Sequence, residues 1–194
     1  MIIFIQIQLN MKILFLDHDG VLCLSDNWGG RSKKKGYDSN PETPLSIRMD
    51  NFDAKAVKVL NKILEETGAE IVVSSDWKLH GTLEQMIEMY KDYGVIKTPI
   101  AYTPNMKDYD PDSYSLYHWK GWAEQQRSEE IKRYLAAHPE ITHWVAVDDL
   151  NMSENINRSD ETEWGLKNFV LMTKPYNEGI KQSGAKDKII KYLI

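Results

Sequence analysis

Lys12 to Leu24 read KILFLDHDGVLCL, and the reading of this stretch decides the fold. The apolar run Ile13 to Leu16 stops abruptly at Asp17-His18-Asp19-Gly20, and a second apolar run comes next. Four apolar residues bounded by turn residues predict a fully buried strand of a parallel sheet. Gly20 lets the chain turn away at once. Asp17 and Asp19 therefore fall just past a strand's carboxyl end, where an open α/β sheet places its ligands. Two carboxylates this close repel each other unless something positive sits between them. A hard divalent cation held through oxygen, Mg²⁺ foremost, is the plainest partner.

Downstream, the chain repeats the pattern of strand, turn and helix. Asp53 to Thr67 predicts an amphipathic helix with Val57, Leu60, Ile63 and Leu64 on one face, Asp53 as N-cap and Gly68 just past its end. Ala69 to Val73 predicts a second strand, which closes in Ser74-Ser75-Asp76-Trp77-Lys78. A helix that returns to a strand makes one crossover of a parallel sheet. A hydroxyl at such a strand end, beside free backbone N–H groups, can bond a phosphoryl oxygen. Ser74 is the first choice for that role and Ser75 the near alternative. Trp77 and Lys78 either line the mouth of the site or, respectively, pack and face solvent.

Leu79 to Tyr93 predicts a second amphipathic helix, and Ile96 to Ala101 a short third strand. Arg127 to His138 predicts a helix ended by Pro139. Trp144 to Val147 predicts a buried strand that closes in a second acid pair, Asp148-Asp149. Such a pair after a buried strand either offers oxygen ligands to a cation or caps a turn. A last strand over Asn168 to Met172 and a final helix over Lys186 to Leu193 end the chain.

Two segments break the pattern. Ser25 to Asn51 is rich in Gly, Pro and charge and carries the basic run Arg31-Ser32-Lys33-Lys34-Lys35, so it reads as a loop leaving the acidic centre. The basic run is a solvated loop tip or a docking surface for a polyanion. Trp28 beside it either stacks on a base or covers the core. Pro104 to Trp122 is irregular and aromatic, with Tyr109, Tyr114, Tyr117, Trp119 and Trp122. Those rings either stack nucleobases or fold the loop on itself.

The 194 residues suffice for one domain with a sizeable core. A net charge of −5 argues against a surface that coats nucleic acid broadly, though not against a small basic site for one phosphate. The single cysteine, Cys23, excludes an internal disulfide framework and suits a reducing, cytoplasmic setting. The opening MIIFIQIQL is too short to span a bilayer, so no membrane association is expected. It alternates, which fits an extra edge strand over residues 1–10, the other reading being a dispensable extension ahead of a start at Met11.

LFLDHDGVL resembles the first motif of the haloacid dehalogenase (HAD) superfamily of phosphatases, an apolar strand followed by DxDG. IVVSS is similar to the second motif, a strand closing in Ser or Thr, and WVAVDD to the fourth, which supplies metal ligands. The third motif is a Lys or Arg near the start of the preceding helix. Arg127 fits that place, with Lys120 as the fallback. TGAEIVVSSDWK, RSEEI, WVAVDD and EGI together resemble a smaller group, the HAD domains of Swiss army knife RNA-repair proteins and their stand-alone relatives.

The resemblance implies an α/β fold, a Rossmann-like three-layer αβα sandwich around a mainly parallel sheet, with no large cap domain. It implies one domain over residues 1–194, with loop insertions at 25–51 and 104–126 near the active site. By the same resemblance, Asp17 is the nucleophile and Asp19 the general acid and base. Asp17, the Asp19 carbonyl and Asp148 hold Mg²⁺, with Asp149 as a further ligand or as a residue that orients them, while Ser74, Ser75 and Arg127 or Lys120 bind phosphate. Trp28, Trp77 and Lys78 are candidate substrate contacts. The implied activity is a phosphatase on nucleotide or polynucleotide phosphate ends, with no obligate protein partner evident. A phosphomonoesterase of other small molecules and a non-catalytic binding module are the alternatives.

Overall fold

The computed structural model describes residues 10–24, 40–105, 122–153 and 165–194. Residues 1–9 of the expected extension strand lie outside them, as do Trp28, the basic run 31–35, Tyr109, Tyr114, Tyr117, Trp119 and Lys120.

Five strands, β1 (Met11–Leu16), β2 (Glu70–Val73), β3 (Pro99–Tyr102), β4 (Ile141–Asp148) and β5 (Phe169–Leu171), form one sheet in the order β3-β2-β1-β4-β5. Every pairing is parallel. The chain steps outward from β1 to β3, then restarts on the other side at β4. The direction of winding thus reverses between β1 and β4, and an open α/β sheet binds its ligands in the crevice beyond such a reversal. Leu16 is in register with Val73 on one side and Val147 on the other. The next residues along each strand, Asp17, Ser74 and Asp148, therefore lie at one level.

Side chains alternate across β1. Leu14 and Leu16 join Ile71, Val73, Val145 and Val147 in a core closed by α2 (Ala54–Thr67), α3 (Leu83–Asp92) and α5 (Ala185–Leu193). Ile13 and Phe15 face the other way, with Val72 and Ala146, and meet Ile131 and Tyr134 of α4 (Trp122–Ala137). A strand covered on both faces has no polar side to show, which is why β1 reads as an unbroken apolar run. The result is the expected three-layer αβα sandwich. Among the described residues no helix is long and apolar enough to cross a membrane.

Several boundaries differ from the sequence expectation, and three of the differences have a local cause. Helix α3 starts at Leu83 rather than Leu79, because Thr82 and Gln85 bond each other's backbone N–H groups reciprocally, at 3.3 and 3.2 Å. The T-x-x-Q signature was in the sequence, and it fixes the start more firmly than apolar spacing does. Asp76–Leu79 instead forms a 3-10 turn. Helix α4 begins at Trp122, so the expected loop 104–126 gives up its last five residues, and Arg127 lies in the second turn. Ala123, Glu124, Gln125 and Gln126 favour a helix, and Glu124 suits its positive end. Within the expected loop 25–51, Leu45–Arg48 forms a short helix, α1, because Leu45 is buried in the core and Arg48 bonds the carbonyls of Thr43 and His80.

Candidate active site

The segment after β1 curls tightly. The His18 carbonyl accepts from the N–H groups of Val21, Leu22 and Cys23, and the Gly20 N–H returns to the Cys23 carbonyl at 2.8 Å. Val21 and Leu22 are fully buried and anchor the curl. Gly20 adopts φ +70°, and a Cβ there would run into the Asp149 carboxylate and Pro175. Only glycine lets the first acid segment lie against the second. Gly20→Ala is therefore expected to weaken metal binding by roughly tenfold or more, read by calorimetric titration with Mg²⁺. It is also expected to cost on the order of 1–3 kcal/mol of stability, read by urea unfolding.

The curl and the end of β4 bring three acids together. Oxygens of Asp17, Asp148 and Asp149 lie within 4.8 Å of one another. Asp17 and Asp148 are buried, whereas Asp149 is half-buried. Burial raises the Asp17 carboxyl from 3.8 to about 6; Arg127 pulls it down, while Asp19 and Asp149 push it further up and a hydrogen bond from Ser75 lowers it. Asp148 is also held well above the ordinary carboxylate range, by burial and by Asp17. Carboxylates in this state bind protons or a cation in preference to standing ionised and alone. The donors are all oxygen, which suits a hard cation such as Mg²⁺. The cluster fits a metal.

One side chain already spans the acids. Arg127 Nη1 donates to Asp17 Oδ1 and Asp148 Oδ2, both at 3.0 Å, and to the Ser74 carbonyl at 2.5 Å. Its Nη2 donates to Asp76 at 3.0 Å, but Asp76 is largely exposed and that bond is screened. Burial opposes the guanidinium's charge; Asp148, Asp17, Asp76 and Glu130 more than offset this and hold its pKa above the usual value. Arg127 thus stands at the level of the strand ends, between the two buried acids.

Ser74 and Ser75 end β2 and are both buried. Ser75 bonds Asp17 and caps the following 3-10 turn. The Ser74 hydroxyl is buried with no hydrogen-bond partner among the described residues. A buried hydroxyl left unsatisfied is costly, and an incoming phosphoryl oxygen would satisfy it. Asp19 accepts at Oδ2 from the Trp77 indole N–H, at 3.1 Å.

Sequence reasoning missed the places taken by Lys78, Glu130 and His18. Lys78, expected at the mouth or in solvent, is buried; its Nζ meets Glu130 Oε2 at 2.5 Å and Thr103 Oγ1 at 3.0 Å. Burial lowers the Lys78 pKa, and Glu130 opposes that. Glu130 lies three residues after Arg127 on α4, and that spacing was a signal that both face the sheet. His18 is fully buried, with Nε2 on the Tyr90 hydroxyl at 2.8 Å. Burial, helped by Arg127, drops its pKa to about 3 and holds the ring neutral near pH 7.

The sequence was compared with known families, curated proteins and solved structures. The family model described as "HAD domain in Swiss Army Knife RNA repair proteins" matches residues 13–181. No curated protein matches, and no solved structure does.

Proposed function

This chain belongs to the family of HAD domains in Swiss Army Knife RNA repair proteins, and from that premise we propose that it is a Mg²⁺-dependent phosphatase acting on nucleotide or polynucleotide phosphate ends. One observation carries the reading: at the reversal of the sheet three carboxylates gather within 4.8 Å, and Arg127 bridges two of them. A nucleophile, a metal cage and a fixed cation are what phosphoryl transfer requires, since its catalysis is mostly positioning and charge neutralisation.

In this reading Asp17 attacks phosphorus. The bond from phosphorus to the ester oxygen breaks, its electron pair stays on that oxygen, and the oxygen takes a proton from Asp19. The phosphoryl group rests on Asp17 as an acyl phosphate. Water then attacks phosphorus and gives a proton to Asp19, and phosphate leaves with Asp17 restored. Ser74 and Arg127 hold the non-bridging oxygens throughout. Mg²⁺, held by Asp17, the Asp19 carbonyl, Asp148 and Asp149, would supply charge neutralisation at the phosphoryl oxygens.

The test is phosphate release, with Mg²⁺ and with EDTA, from an aryl phosphate, free 5′- and 3′-nucleotides, and 5′- and 3′-phosphorylated oligonucleotides. Metal-dependent release is expected, fastest from the nucleotides or oligonucleotides. Steep loss of activity with salt would single out the polynucleotide ends. Salt-insensitive turnover with no preference for nucleotides would leave a phosphatase of other small molecules. No release by folded, metal-loaded protein would refute the reading.

A further inference from the structure

Trp77 is almost fully buried, at 3% exposure, yet its one polar atom is aimed at the reacting centre. The ring is fixed on several sides. It stacks on Phe52, with centroids 5.9 Å apart, and meets the edge of His18 at 4.8 Å. His18 is tied to Tyr90, and Tyr90 packs edge-on to Phe52. The Trp77 backbone N–H bonds Ser75 Oγ, and its carbonyl accepts from His80. The indole therefore presents its N–H in one direction only, towards Asp19 Oδ2 at 3.1 Å.

That bond has a chemical consequence. An oxygen that accepts from an indole N–H cannot at the same time direct its own proton there. With Oδ2 committed to Trp77, the transferable proton of Asp19 belongs on Oδ1. We propose that Trp77 is a positioning residue for Asp19: its indole N–H fixes the carboxyl's rotation, so that Oδ1 delivers the proton to the leaving oxygen. The proposal rests on the phosphatase reading and deepens it. Trp77 acts through Asp19 and has no need to touch the substrate.

A positioned acid matters only for a leaving group that needs a proton. The experiment compares 2,4-dinitrophenyl phosphate, whose phenolate departs unaided, with a nucleoside 5′-monophosphate, whose alkoxide does not. Wild type, Trp77→Phe and Trp77 replaced by 3-benzothienylalanine are assayed with Mg²⁺. The last variant swaps the N–H for sulfur at nearly constant shape, so it decides the matter if Trp77→Phe fails to fold. In both variants the ratio of kcat/KM on the aryl ester to kcat/KM on the nucleotide is expected to rise by about 10–100-fold, because kcat/KM reports the step in which the leaving oxygen departs and not the later water step that both esters share. Asp19→Asn should shift the same ratio in the same direction and further. Equal losses of kcat/KM on both esters, or no change on either, in a variant that folds would overturn the inference and leave the phosphatase reading standing. A wild type inert on both esters and on the phosphorylated oligonucleotides as well would overturn both together.

Discussion

Asp17→Asn is expected to abolish phosphate release, by a factor on the order of 10⁴ to 10⁶, and at the same time to make the metal-free protein more stable. The two effects have one cause. Asp17 is buried beside Asp148 and Asp149, and its pKa is raised from 3.8 to about 6. Between those values the folded protein binds a proton more tightly than the unfolded chain does. Stability contributed by this group is therefore full below about pH 4 and is lost as pH rises towards 6. A shift of this size corresponds to on the order of 1–3 kcal/mol at neutral pH. Asn keeps an oxygen that can accept from Arg127 and carries no charge, so it removes the penalty. Urea unfolding in EDTA at pH 7 should show the variant to be the more stable form, with the gap closing towards pH 4. Added Mg²⁺ should then stabilise wild type more than the variant, because only wild type offers the full cage. A variant less stable than wild type in EDTA at pH 7 would mean that the carboxylates are not in conflict.

Arg127→Met is the second large effect, and its sign on stability is opposite. Arg127 bonds Asp17, the Ser74 carbonyl, Asp148 and Asp76 from two nitrogens. Removing one partner of a buried ion pair leaves an uncompensated charge and costs about 3–5 kcal/mol. Here the acids left without it are Asp17 and Asp148. kcat should fall by roughly 10²–10³ as the cation facing the transferring group is lost. Lowering the pH towards 5 should restore part of the stability by protonating Asp17 and Asp148, and Mg²⁺ at pH 7 should do the same. Arg127→Lys keeps the charge but loses the planar fork, so it should recover more stability than activity. Unfolding curves at both pH values, with and without Mg²⁺, read all of these outcomes. An Arg127→Met protein as stable as wild type in EDTA would contradict the role given to the guanidinium.

Much of this site was legible before the fold was known, because its parts sit at strand ends. Ile13 to Leu16 announces burial on both faces, and the sheet itself places the residues that come after such a run. Asp17, Ser74 and Asp148 each follow the last apolar residue of one of three neighbouring strands, and those apolar residues are in register. Asp53 and Gly68 marked the limits of α2 for local reasons, a side chain capping two N–H groups and a left-handed φ of +70°. The contacts that bring distant side chains together could not be read. Lys78 meets Glu130 across 52 positions, and Trp77 meets Asp19 across 58. A lysine after a tryptophan gives no local sign that it will be buried; only the docking of α4 over the strand ends makes it so. The same docking carries Arg127 into the acids from the second turn of α4, while the local sequence suggested that the helix begins there. His18 lies between two catalytic candidates and invites a chemical role, yet its burial against Phe52, Trp77 and Tyr90 makes it part of the scaffold.

The central claim is that Asp17 accepts a phosphoryl group in a site completed by Mg²⁺ and Arg127, and it can be tested without knowing the substrate. Beryllium fluoride adds to a nucleophilic aspartate as a mimic of its phosphorylated form, and fluorine NMR reports the bound species directly. With Mg²⁺ present, wild type should show a bound fluoride resonance that vanishes in EDTA and is missing in Asp17→Asn. Folded wild type that binds Mg²⁺ yet shows no bound resonance, or a resonance that survives in Asp17→Asn, would contradict the account.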